Sequence, residues 1–411
     1  MNLGYYRDSK KLVPLTNERR FAHTHLIGKR AGKTTALINY ILDDIAAGEG
    51  LLFVDPIGTA IDEILKRVPE HRADNIILLD FGDLEYPPGL NIFHNISRER
   101  HARVAGALVE IARSIWDYGK SPTPRLNLYL RAAARVMLSV PHGNLFGVYY
   151  LITSPRHRKR YLSCVNDTIV KDIWQRYGEK KEKDQADLTD SVLTRIVEIV
   201  SDPVMRNIVG QSKTAVDFRE ILDGRKVVLA SIPESVLGRD TSRMLGSILL
   251  GLMQLAALER DDRTPFHIYL DRAEHFAGTH LAAMLTSIGD YGVSLTLAHQ
   301  YLDQFDPAFK RALLGSAGSL VAFQLGPEDA KVIRPLLALK PNRDLYDALT
   351  DLPPYRAYGR SAGRAQLLTM PDLPEETNVA KRIRRHCRTK YGRRREQVER
   401  EIEAFISETM S

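Results

Sequence analysis

Seven short apolar and β-branched runs punctuate the chain: His25–Gly28, Leu51–Asp55, Asn75–Phe81, Lys226–Ile232, His267–Asp271, Ser294–His299 and Ser319–Leu325. Most are near-continuous in apolar residues, without the in–out alternation of a half-wet sheet. That is the pattern of strands buried on both faces of a parallel sheet. Segments of helical period follow or precede them, at Thr34–Ala47, Ala60–Arg67 and Ser242–Leu258. Strands alternating with helices of this length predict an α/β fold built on a doubly wound parallel sheet.

The alternation breaks between the third and fourth runs. From Ser97 to Phe218 no comparable strand signal occurs. Helical patterns take its place at Arg98–Ile115, Arg125–Ser139, Val148–Leu151, Pro155–Val165, Ile169–Tyr177 and Asp187–Val200, divided by Lys120–Pro124, Pro141–Asn144 and a polar hinge at Gly178–Gln185. This interval reads as an all-helical insertion. The expected organisation is a first part of the α/β core over 1–96, the insertion over 97–218, a second part of the core over 219–350, and a C-terminal extension over 351–411 with a basic helical tail. No repeat of solenoid length is visible.

Composition changes this picture little. The 411 residues are 44% hydrophobic and 27% charged, as in ordinary globular proteins. No stretch of about 18 uninterrupted apolar residues predicts a membrane span, and Met1–Arg20 lacks the apolar stretch of a secretory leader. Cys164 and Cys387 have no metal-ligand spacing and read as reduced thiols of a cytoplasmic protein. The net charge of +7 is concentrated in one place. Lys381, Arg382, Arg384, Arg385, Arg388, Lys390, Arg393, Arg394 and Arg395 form a stretch without an acidic residue, and the rest of the chain is close to neutral. Contact with a nucleic-acid backbone and a solvated helix face are both open readings of that stretch. Tyr149, Tyr150 and Tyr161 are expected in a helical core and not as a platform for single-stranded bases.

The chemistry is concentrated at strand ends. Gly28, Lys29, Arg30, Ala31, Gly32, Lys33, Thr34 and Thr35 close the first run and open a helix, which is where a phosphate cradle forms. Backbone N–H groups and the helix dipole face the anion there. Gly32 permits close approach, Lys33 reaches the β/γ-phosphates, and Thr34 holds Mg²⁺. The phosphate-loop motif sets four residues between its glycines; here three separate Gly28 from Gly32. Asp271, ending a distant apolar strand, is the candidate Mg²⁺ acid. The next position, where an acid would polarise water, is Arg272, which stays protonated and cannot act as a base. Glu274 lies two residues further on, and Gln300 ends the sixth run where an amide can sense the γ-phosphate. A strand-end cap (Asp271) and a polar strand terminus (Gln300) remain the plainer alternatives.

Taken in order, these blocks resemble the HerA/FtsK superfamily of P-loop ATPases, and within it the TraG/TraD-like coupling proteins. The likeness spans about residues 20–400. It rests on His25-Leu26-Ile27-Gly28 with Gly32-Lys33-Thr34-Thr35, Phe53-Val54-Asp55-Pro56 with Gly58, Gly89-Leu90-Asn91-Ile92, Tyr269-Leu270-Asp271, Ala298-His299-Gln300, and Phe323 through Asp329-Ala330. Asp217-Phe218-Arg219, Leu237-Gly238 and Leu352-Pro353-Pro354-Tyr355 support it. The resemblance implies a RecA-like core binding ATP and Mg²⁺, a homo-hexameric ring around DNA, and partners among relaxosome or secretion-channel proteins. It also implies a soluble variant without the family's membrane anchor. The departures fall at turnover positions. The loop is one residue short, Ile57 and Thr59 stand where the family shows a His and an acid, and Arg272 replaces the water-activating glutamate. Gln324 stands where the family presents an arginine finger, a group that contributes about 10³–10⁵ in rate. Two functions follow: a DNA-translocating ATPase with impaired hydrolysis, or a non-catalytic DNA-binding or ring-forming scaffold. A kinase-like nucleotide enzyme is disfavoured by the blocks at Asp217–Leu229 and Phe323–Ala330.

Overall fold

The computed structural model describes residues 1–6, 9–29, 32–116, 124–337, 343–361 and 364–407. Among them, eleven strands form one sheet: β1 Asn2–Tyr6, β2 Leu12–Pro14, β3 Thr24–Ile27, β4 Gly50–Asp55, β5 Ile76–Asp80, β6 Val227–Ser231, β7 Phe266–Leu270, β8 Val293–His299, β9 Ser319–Ala322, β10 Arg356–Ser361 and β11 Arg364–Thr369. Their order is β2-β1-β11-β10-β9-β3-β8-β7-β4-β6-β5. The seven expected runs are β3 to β9. From β9 through β3, β8, β7 and β4 to β6 every pairing is parallel, with Ile27 opposite both His299 and Ala322 and with Val54 opposite Leu270. All residues of β3, β4, β7 and β8 are buried, which is why their sequences are largely apolar without in–out alternation.

The other four strands escaped the sequence pattern. They make an antiparallel flank, β9 to β10 to β11 to β1 to β2. β10 reads Arg-Ala-Tyr-Gly-Arg-Ser and alternates between buried and half-buried residues, so it carries no apolar run. β2 is three residues long and ends in proline. Strands with one wet face are built this way, and a search for continuous hydrophobicity passes over them.

Internal contacts divide the chain into two units: Met1–Leu79 with Phe218–Gly246 and Ala256–Cys387, and Asp80–Asp217 with Ser247–Leu255 and Arg388–Ser411. The first holds the sheet. The second is mainly helical, with helices at His101–Trp116, Pro124–Ser139, Leu145–Thr153, Pro155–Ser163, Thr168–Gly178, Glu182–Ser201, Pro203–Val209 and Arg395–Ser407. Local chemistry sets several of these starts. Asn144, Ser154, Asp167 and Asp202 each accept from a backbone N–H of the first turn, and Pro155 and Pro203 occupy first helical positions. The expected hinge at Gly178–Gln185 is shorter, because a helix already begins at Glu182. Trp174, Tyr177 and Tyr129 form an edge-packed aromatic core, and Tyr161 is buried beside His157, on which Tyr150 stacks at 4.6 Å. The helix Arg239–Glu259 is long and apolar enough to cross a membrane, but 72% of its most apolar window is buried inside the protein.

One buried polar cluster fixes the sheet unit. Arg20, just before β3, forms a two-point ion pair with Asp44 at 2.6 and 2.9 Å, and both side chains are sealed from solvent. The Tyr269 hydroxyl on β7 donates to Asp44 at 2.7 Å and accepts from Arg20 at 2.8 Å. Burial alone would push the Asp44 carboxyl up, but the Arg20 guanidinium holds it below its ordinary value. Removing one partner of such a pair strands a buried charge. Asp44→Asn is therefore expected to destabilise the protein by about 3–5 kcal/mol in urea unfolding at constant slope. The combination Arg20→Met, Asp44→Leu and Tyr269→Phe should recover most of that loss. A triple variant less stable than the single one would refute this account.

Candidate nucleotide site

β3 ends at Ile27 and the next helix begins at Lys33, so five residues, Gly28 to Gly32, connect them. Arg30 and Ala31, both expected in the cradle, lie outside the described residues. Gly28 and Gly32 have φ of 152° and 127°, conformations that L side chains rarely adopt. Space imposes the same choice: a Cβ on either glycine would come within 2.6 Å of the Phe323 side chain. The loop therefore lies against the end of β9. It is tied there by Lys29 N–H donating to the Gln324 carbonyl at 2.9 Å, and to β8 by Gly28 N–H donating to the His299 carbonyl at 3.3 Å. The Lys33 ammonium donates to the Gly28 carbonyl across the loop. Thr34 is exposed and Thr35 half-buried on the first turn of the helix.

Because β3, β8, β7 and β4 are adjacent and parallel, their carboxyl ends share one edge of the sheet. Asp271 follows β7 and is 8% exposed. Burial pushes its carboxyl up, the charge of Asp55 adds to the effect, and Lys33 opposes it. Burial lowers the Lys33 ammonium, against the pull of Asp271 and Glu274. Lys33, Asp271, Asp55 and Glu274 thus belong to one electrostatic cluster. Asp55, at the end of β4, accepts from the N–H groups of Ile57, Ala60 and Ile61 at 2.9–3.1 Å and so caps the helix Thr59–Leu65. Arg272 sits in the left-handed region with φ 49°, and its N–H donates to the Asp271 carboxylate at 2.9 Å.

Glu274 is partly sheltered. Gln304 donates to one of its oxygens at 2.8 Å, the other oxygen is buried without a hydrogen-bond partner, and burial raises the carboxyl. The Gln304 carbonyl oxygen in turn accepts from the N–H groups of Gln300 and Tyr301, each at 2.9 Å. Glu274 and the exposed Gln300 are therefore held by one amide side chain. Sequence reasoning missed Gln304 because it lies in a short helical turn with no strand-end signature. It also did not connect Asp55 with Asp271, although Asp55 ends an apolar strand just as Asp271 does. Gln324 points its amide to the Thr350 carbonyl at 2.8 Å within its own chain.

Beneath the loop lies a histidine pair. His25 on β3 and His299 on β8 stack at 4.8 Å with Nε2 to Nε2 at 2.6 Å. His299 Nδ1 lies 3.1 Å from the Tyr301 carbonyl, which only accepts, so Nδ1 carries the proton and Nε2 accepts from His25. Burial takes His25 down to about 3 and His299 well below its ordinary value, so both rings are neutral.

The basic stretch forms the helix Ala380–Tyr391 and the start of the helix Arg395–Ser407. Several of its cations are engaged. Arg384 pairs with Asp62, Arg393 with Glu401, Arg395 with Glu399 at 3.7 Å, and Arg388 with Asp83 at 2.5 Å while covering the Tyr86 ring at 4.1 Å. Lys381, Arg382, Arg385 and Arg394 are exposed. Among the described residues no three His, Cys, Asp or Glu side chains converge as a metal cluster. A Mg²⁺ bound with phosphates needs only one or two protein oxygens.

A parallel sheet with a glycine loop on its central strand and an acid ending a strand two places away defines a RecA-like P-loop fold. No model of a known protein family matches the chain, and no curated protein matches its sequence. Solved structures do. The plasmid coupling protein TrwB with a non-hydrolysable GTP analogue superposes with a TM-score of 0.66 at 16% identity over 89% of both chains. TrwB with ADP and Mg²⁺ gives 0.62 at 14% identity over 89% of this chain and 88% of that one. VirB4 of Thermoanaerobacter pseudethanolicus gives 0.63 at 15% identity over 91% and 96%. At these identities the likeness is one of fold, and it is the fold that the order of HerA/FtsK-type motifs implies.

The histidine pair generates an acid-sensitivity test. The unfolded chain protonates these rings near their ordinary value of about 6.5, whereas the folded chain resists to much lower pH. Stability is thus full above 6.5 and falls below it, by about 1.4 kcal/mol per pH unit for each ring. Replacing both by phenylalanine should flatten the decline of the urea midpoint between pH 6 and 4 by about two protons. An unchanged slope would show that the pair does not titrate on unfolding.

Proposed function

We propose that this chain binds ATP with Mg²⁺ on the loop Gly28–Thr35 and acts on DNA as a coupling-type, ring-forming subunit, with hydrolysis slow or lost. The observation that carries this reading is the convergence of Lys33, Asp271 and Glu274 at the carboxyl edge of adjacent parallel strands. In the assigned roles, the loop amides and Lys33 hold the β- and γ-phosphates, and Thr34 and Asp271 hold the metal. Gln300 and Glu274 face the terminal phosphate. The chemistry of the residues fits the ligand: the Lys33 ammonium rests on a carbonyl that a phosphate can replace. TrwB, of the same fold, is a plasmid coupling protein seen with nucleotide analogues and with ADP and Mg²⁺.

Impaired turnover is supported by Arg272, which offers no base beside Asp271, and by Gln324, whose amide is used inside its own chain. The same two residues favour the second reading, a nucleotide-holding scaffold without hydrolysis. Mg²⁺-ATP should raise the thermal midpoint of the wild-type chain by mass action, and Lys33→Ala should abolish that rise. DNA-stimulated phosphate release should be near background. Robust turnover that depends on Lys33 would overturn the impaired-hydrolysis reading, and Arg272→Glu with Gln324→Arg should increase release.

DNA contact is assigned to Lys381, Arg382 and Arg394 more than to the ion-paired Arg384, Arg388, Arg393 and Arg395. In filter binding against salt, replacing Lys381, Arg382 and Arg394 by alanine should flatten the log–log slope by about 0.9 per lost phosphate contact. No change would confine these residues to solubility.

A further inference from the structure

Beside the loop, the chain makes a turn at Pro353–Arg356, where Arg356 N–H donates to the Pro353 carbonyl at 3.2 Å. Pro354 takes the second position, which its fixed φ suits, and Tyr355 takes the third with φ of 61°. A third position with positive φ is ordinarily glycine or asparagine, because a side chain there crowds the backbone. A bulky aromatic is a poor choice on backbone grounds. Yet the turn is clamped in this form: the Tyr355 carbonyl accepts from Met370 N–H at 2.8 Å, Leu352 before it is buried, and Arg356 begins β10. The residue that this conformation carries is only half covered, with Tyr355 48% exposed. Its backbone adjoins the phosphate loop, where a Cβ built on Gly32 would lie 3.2 Å from the Tyr355 Cα.

Sheet order places the turn relative to the chemistry. β7 and β8, which carry Asp271 and Gln300, flank one side of β3, and β9 and β10 flank the other. A nucleoside triphosphate on the loop has two ends. If its metal and terminal phosphate lie toward Asp271, its nucleoside leaves toward β9 and β10, where Tyr355 stands. We infer that the Tyr355 ring is the stacking platform for the nucleobase of the bound nucleotide. This deepens the nucleotide reading of the loop and rests on it. Stacking is indifferent to hydrogen-bonding pattern, so the platform accepts adenine and guanine alike.

The test compares Mg²⁺-ATP with Mg²⁺-tripolyphosphate, which has the phosphates but no base, by titration calorimetry on the full chain. Tyr355→Gly relieves the backbone conformation, so its urea midpoint should equal or exceed that of the wild type. Its Kd for ATP should rise about tenfold, its Kd for tripolyphosphate should not change, and Tyr355→Phe should keep wild-type ATP affinity. Equal losses for both ligands in Tyr355→Gly would show that the turn only shapes the loop, and no loss for either would show that the ring is not used. A wild type that binds tripolyphosphate as tightly as ATP would refute the platform and leave the phosphate site standing. Binding of neither ligand would refute both.

Discussion

The geometry of the site depends on the sealed ion pair between Arg20 and Asp44. Asp44 lies on the last turn of the helix that Lys33 begins, and Tyr269, bound to the same carboxylate, is two residues from Asp271. The helix that starts at the loop is therefore fastened by its far end to the strand that carries the acid. Neither the loop nor the acid needs a direct contact at the site to hold its distance from the other. A charge pair with no solvent tolerates displacement poorly, because any gap exposes unpaired charge to an apolar interior. The cluster adds little net stability compared with apolar packing, but it admits one arrangement only.

At the front, burial works against the charged groups themselves. Burial raises the Asp271 and Glu274 carboxyls and lowers the Lys33 ammonium, so each group is held in a setting that disfavours its own charged form. A divalent cation would relieve the carboxylates and a polyphosphate would relieve the ammonium. The buried, partnerless oxygen of Glu274 points to the same need. Structural ion pairs do the reverse: in the Arg20–Asp44 pair, the partner brings each group to its charged form. The two clusters differ in purpose as well as in place.

The parallel core was legible in the sequence because strands buried on both faces are mostly apolar, and most of β3 to β9 are. The loop was legible because Gly28 and Gly32 answer to two demands at once, positive φ and the close approach of Phe323. The flank β1, β2, β10 and β11 was not, since Gly359, Arg356 and Arg360 of β10 leave no hydrophobic period to find. Nor was the link from Glu274 through Gln304 to Gln300, which joins residues thirty apart and four apart through one side chain. The pairing of the basic tail was not legible either: its composition left nucleic-acid contact and a solvated face open, while the fold places Asp62, Asp83, Glu401 and Glu399 against Arg384, Arg388, Arg393 and Arg395.

Arg272 bears on what kind of protein this is. Where an acid would take a proton from water, a guanidinium inverts the sign of the local charge, and its field opposes protonation of Lys33 and favours ionisation of Asp271. For a metal-bound triphosphate, that exchange removes the proton acceptor and adds a cation. The first effect slows hydrolysis, and the second strengthens retention of the anion. Gln324, whose amide is occupied with the Thr350 carbonyl, stands in the proposed reading where a second cation would act only in the transition state. On the function proposed above, interactions that hold the ground state are kept and those specific to turnover are replaced. A site of that kind would favour a subunit whose nucleotide sets conformation and assembly more than it supplies work.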